Sequence, residues 1–196
     1  KGKAELTALP NLPYVMAVAA ASTTSEQNIQ TGLDMINSLL NTDPLSTMPD
    51  ELKGSIRKSY QDMTDQITAV QFVGGGSKDV GVFGVSMVIK CKDSDKMKAI
   101  LADDAAIVQG LIKHYGKDNA DANSVTVKYV KGIETVGGIS ADAIVVESPK
   151  MDSMPETERD EMKKVLGEDK FRFRIAATDK NTVVLTIGGS GSFFAE

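Results

Sequence analysis

From Phe83 to Cys91 the chain alternates: Phe83, Val85, Met87, Ile89 and Cys91 fall on one side of an extended backbone, and Gly84, Ser86 and Lys90 on the other. A period of two over that length predicts a β-strand with one face against an apolar layer and one face less buried. Such a strand belongs to an antiparallel sheet covered mainly on one side, because strands of a doubly covered parallel sheet read as apolar throughout. It arrives by a hairpin: Thr68–Val73 is the preceding strand, and Gly74-Gly75-Gly76-Ser77-Lys78-Asp79 is the turn before Val80–Lys92.

The rest of the chain supplies what such a sheet needs. Tyr14–Ala20 reads as a first strand. Ile29, Leu33, Ile36 and Leu40 recur at helical spacing and predict a helix over 25–41, broken by Asp43-Pro44. Thr47-Met48-Pro49-Asp50 reads as a capping box, opening a helix whose inward stripe is Leu52, Ile56, Met63 and Ile67. After the alternating strand, Met97, Ile100, Leu101, Val108, Leu111, Ile112 and Tyr115 mark a helix over 95–115, long enough to lie across the sheet. Val125, Val127 and Tyr129 begin another strand, which Gly137-Gly138 turns into Ile139–Glu147. Ser153-Met154-Pro155-Glu156 repeats the capping pattern before a charged helix that Gly167 ends. A last hairpin pairs Phe171, Phe173 and Ile175 with Val183, Leu185 and Ile187, with Arg172 and Arg174 on its opposite face.

Strands joined by short turns and interspersed with helices give an α+β class, with an antiparallel sheet of about seven strands and helices packed mainly on one face. The chain reads as one domain over 1–196. The two Met-Pro caps, each followed by a helix and a hairpin, suggest two related halves within it, 13–115 and 124–196.

Composition narrows function mostly by exclusion. A net charge of −5 with both signs interspersed argues against nucleic acid, whose phosphates require a basic field. No run approaches the roughly 18 apolar residues of a membrane span. The chain starts at Lys1, which reads as processing or trimming. The basic start and Val18-Ala19-Ala20-Ala21 imitate a signal peptide, but Glu5, Pro10 and Pro13 interrupt its apolar core and favour the strand instead. At the other end, Ser192-Phe193-Phe194-Ala195-Glu196 resembles the opening of a helix.

The chain holds one histidine and one cysteine. A Ser-His-Asp site would have to use His114, which lies in the last turn of its helix, where the dipole favours a cation without any catalytic role. Cys91 sits among the core positions of its strand, where a thiol is inert. Met151-Asp152-Ser153-Met154 has thioether spacing, but no methionine cluster or histidine completes a metal site. Gly188-Gly189-Ser190-Gly191-Ser192 lacks the lysine of a phosphate loop and the last glycine of a nucleophile elbow. No cofactor is implied. The remaining candidates are Asp104, a carboxyl inside an apolar helical stripe, and Arg172 with Arg174, which flank Phe173 and could bind an anion from the open face of the sheet.

Val88-Ile89-Lys90-Cys91-Lys92-Asp93 leading into a long helix, and the late hairpin strand Thr182-Val183-Val184-Leu185-Thr186-Ile187-Gly188, resemble segments of uncharacterised proteins exported by bacteria of the planctomycete type. The resemblance spans Val80 to Gly189, rests on structural residues and implies an extracytoplasmic location without supplying a catalytic residue. The leading expectation is therefore a non-catalytic binding domain for a protein partner. The alternative is a carrier of an apolar small molecule or lipid between sheet and helices, favoured by a large apolar cavity. A hydrolase using His114 comes third.

Overall fold

The computed structural model describes residues 14–21, 25–77, 81–168 and 170–188. The expected opening of a helix at Ser192, most of the glycine run after Gly188 and the end of the expected Gly74–Asp79 turn lie outside the described residues; Gly74–Ser77, expected in that turn, instead continue the strand and pair with the next one. The described strands are β1 (Tyr14–Ala21), β2 (Ile67–Ser77), β3 (Gly81–Cys91), β4 (Thr126–Val136), β5 (Ile139–Glu147), β6 (Phe171–Asp179) and β7 (Thr182–Gly188). They form one antiparallel seven-stranded sheet in the order β1-β2-β3-β7-β6-β5-β4. The helices are α1 (Glu26–Leu40), α2 (Asp50–Gln66), α3 (Ser94–Tyr115), α4 (Ala120–Asn123), α5 (Pro149–Asp152) and α6 (Glu156–Leu166). The α+β class and the antiparallel sheet thus follow the alternation seen in the sequence.

The registers define the faces. Val70, Ile89, Val183 and Ala177 lie in one row, Phe72, Met87, Leu185 and Ile175 in the next, and Ile175 is followed by Asp142 on β5. This is the face that α3 crosses. Ile89, Cys91, Ile175 and Val183 meet Met97 and Leu101 of α3 in the central core, with Met63 of α2 packed against it. Met97, Ile175 and Val183 are fully enclosed. At about 1.5–3 kcal/mol for each large apolar side chain buried, this layer is the main contribution to the fold.

Helix α3 begins where the β6–β7 turn docks. Asp93 caps it, accepting from the N–H groups of Asp95 and Lys96 at 2.9 and 3.0 Å. The Asn181 side chain donates to the Cys91 and Lys92 carbonyls at 3.2 and 2.7 Å, tying that turn to the end of β3. Two parts of the expected α3 stripe differ: Val108 and Tyr115 are exposed, because α2 and the sheet flank the helix over only part of its circumference.

The capping boxes do not form. Pro49 and Pro155 themselves stand at the N-cap, extended at φ −56° in both cases, with no side-chain cap. The Thr47 hydroxyl donates instead to the Pro44 carbonyl at 2.8 Å, closing a 3-10 turn, and the Ser153 hydroxyl donates to the Pro149 carbonyl at 2.9 Å, closing α5. The two junctions are built alike: a proline-led turn closed by a hydroxyl, then Met-Pro, then an acidic first turn. Ile67, expected in the α2 stripe, begins β2.

Candidate functional site

Asp104 and the groove beside it come first, since α2 and α3 lie side by side there. Leu52 packs against Gly110, where a Cβ would come within 3.1 Å of it. The polar stripe of α2 carries Ser55, Lys58, Ser59 and Asp62, and with Ile100 and Asp103 of α3 it lines an open groove of about 250 Å³. Ser59 donates to the Asp104 carboxylate. Burial pushes the Asp104 carboxyl above the usual range, and the Ser59 hydrogen bond opposes that shift. Lys58 is held outward by its ion pair with Asp62. A carboxyl and a hydroxyl therefore meet here, and the chain's one histidine is not beside them.

His114 is elsewhere. It lies ten residues along α3 from Asp104 (114 − 104), about 15 Å at the helical rise. Its ring packs edge-on against Tyr115, and Nε2 stands 3.5 Å from the Thr47 hydroxyl. The structure does not bring His114 and Asp104 together, and a hydrolytic triad needs its members within hydrogen-bond reach.

The anion site expected of the two arginines is not formed by Arg174. That side chain is buried, and its guanidinium is gripped in two-pronged fashion by Glu168 at 2.9 Å while Nε donates to Glu134. Burial works against the Arg174 charge, but the two carboxylates outweigh it and hold the proton more tightly than usual. A guanidinium already facing two carboxylates does not attract a third anion. Arg172 is half-buried, and its Nε has no hydrogen-bond partner.

A second ionic cluster escaped the sequence reading. Asp142 is buried on the α3 side of β5, accepting from the Tyr129 hydroxyl at 2.6 Å and the Gly132 N–H at 2.9 Å, and pairing with Lys98 of α3 at 2.8 Å. Burial alone would raise its carboxyl, but Lys98, Tyr129 and the Gly132 N–H together hold it below the usual carboxylate range. All its neighbours are satisfied, so the cluster fastens α3 and β4 to the sheet. The signal was present: Asp142, Ile144 and Val146 share one face, so a charge sits in an inward row.

The remaining feature is a surface. On the α3 side of the sheet, cover is incomplete over β1–β3. Val18 pairs with Phe72 and Phe72 with Met87, while Met16 pairs with Gly74 and Gly74 with Val85, so these side chains share that face with Phe83. Met16, Val18 and Phe83 are each about half exposed, at 50%, 51% and 47%. Beside them β1 forms the sheet edge, and its sequence YVMAVAAA carries no charge.

No known protein family, curated protein or solved structure matches the chain.

Proposed function

We propose that this chain is a non-catalytic binding domain whose apolar three-stranded face, Met16, Val18, Phe72, Phe83 and Val85, receives a protein partner. The observation that carries the reading is the contrast between a filled core and this open patch. Met97, Ile175 and Val183 are fully enclosed between α3 and the sheet, whereas Met16 and Val18 on β1 and Phe83 on β3 stand about half in solvent. Contiguous apolar surface of that kind marks interaction sites more often than scattered exposed residues do. The two best-buried charged side chains described above agree, since Asp142 and Arg174 are spent on holding elements together. An extracytoplasmic setting rests on the resemblance of the β3–α3 and β7 segments to exported proteins.

The test is site-specific photo-crosslinking in the native host, with benzoylphenylalanine at Val18 and, as control, at Val108 of α3, which is also exposed. A discrete adduct from Val18 alone is expected. Adducts absent at Val18, or equal at both positions, would overturn the reading.

A further inference from the structure

We propose that β1 is the interface between two copies of this chain, paired edge to edge and antiparallel into one continuous sheet; this deepens the partner-binding reading and rests on it. An edge strand presents a row of backbone N–H and C=O groups whose natural complement is another strand. Among the described residues β1 pairs with β2 alone, so its outer side is such a row. Soluble proteins block edges with charge, proline or a bulge, and β1 has neither a charge nor a proline in its eight residues. The register with β2 shifts between Tyr14 and Met16 and is continuous from Met16 to Ala21, so the irregularity is confined to the start of the strand and six residues of the outer side are uninterrupted.

The composition of β1 selects a second copy rather than a foreign strand. A two-fold axis perpendicular to the sheet sets β1 antiparallel to itself and keeps the apolar faces on the same side, so Met16, Val18 and Ala20 of each copy extend one another's surface. Over the continuous register from Met16 to Ala21 the other face of each strand carries Ala17, Ala19 and Ala21, which leave room for close approach. With no charge on the strand, self-pairing sets no like charges opposite one another, the usual penalty for an isologous contact. Closure by the two-fold also ends the association at two copies, since the opposite edge, β4, is charged and bulged.

Sedimentation velocity over a wide concentration range tests this on the full chain, its Val18→Lys variant and a Val130→Lys control on the exposed outer row of β4. The expected result is reversible association of the 20.9 kDa chain to twice that mass. Val18→Lys is expected to raise the dissociation constant at least about tenfold, because it sets lysines near one another across the axis. Val130→Lys should match the parent. Thermal melts confirm folding, and Met16→Lys substitutes if Val18→Lys melts early. A chain that stays monomeric at every soluble concentration overturns the inference, as does a dimer indifferent to both β1 substitutions. The crosslinking experiment separates the two readings: a monomer that still gives a Val18 adduct of foreign mass loses the second copy but keeps the binding face.

Discussion

The two edges of this sheet solve the same physical problem in opposite ways. At β4 the backbone is occupied by side chains: Gln109 of α3 accepts from the Val127 N–H at 2.6 Å and donates to the Val125 carbonyl at 3.4 Å, imitating a strand, and Asp142 takes the Gly132 N–H. Lys128, Lys131 and Glu134 add charge, and Gly132, at φ +60°, sits where the register shifts between Val130 and Glu134. At β1 the eight residues carry no charge and no proline, and the one register shift is confined to the start of the strand, between Tyr14 and Met16. An edge is made inert by particular side chains reaching it from elsewhere, and where they are missing the edge stays able to recruit.

Breaking the β4 side should have the largest effect. Asp142→Ala removes the acceptor of Tyr129 and Gly132 and strands the partly buried Lys98, a loss of about 3 kcal/mol by urea denaturation. The pH dependence follows from the depressed carboxyl. Its contribution is complete above the ordinary carboxylate range and disappears as pH falls through the lowered native value, so the parent should lose stability to acid below about pH 4. The Asp142→Ala variant should lose less over the same window. An identical acid profile for both proteins would show that this cluster is not what separates the two edges.

A matched pair of valines sharpens the contrast. Val127 on β4 is 7% exposed beneath α3, and Val18 on β1 is 51% exposed. Val127→Ala should cost about 2 kcal/mol, and Val18→Ala at most about 0.5 kcal/mol in dilute, monomeric protein. Equal costs would mean that β1 is covered in solution as thoroughly as β4. A Val18→Ala cost that grows with protein concentration would instead locate the cover in a second copy.

Much of the sheet was legible because strands announce themselves locally: the alternation of Phe83–Cys91 and the hairpin around Asp179-Lys180-Asn181 give strand and turn without tertiary knowledge. The helix starts were not, because Thr47 and Ser153 could cap forward or close the turn behind them, and the prolines at the N-cap settle it in favour of the latter. Arg174 was placed correctly on the second face, yet its fate depended on Glu134, forty residues away by sequence (174 − 134), whose position is set by the β4 bulge. The open patch was invisible for a similar reason. Val18 and Ile89 look alike in sequence, and the path of α2 and α3 decides which of them is covered.

Gln109 is where the comparison can be tested with the smallest perturbation. Its side chain is half-buried on α3 and contributes no large apolar surface, so Gln109→Ala should preserve packing and cost about 1 kcal/mol, the net value of its hydrogen bonds to β4. The more telling readout is local. Amide exchange at Val127 should accelerate well beyond that of Ile175 or Val183, since only the former loses its acceptor. A freed β4 edge still carries Lys128, Lys131, Glu134 and its bulge, so the variant should gain no new association by sedimentation. If it does associate, the clasp rather than the charge is what keeps β4 inert. An uncharged β1 would then recruit because, among the described residues, no helix clasps it as α3 clasps β4.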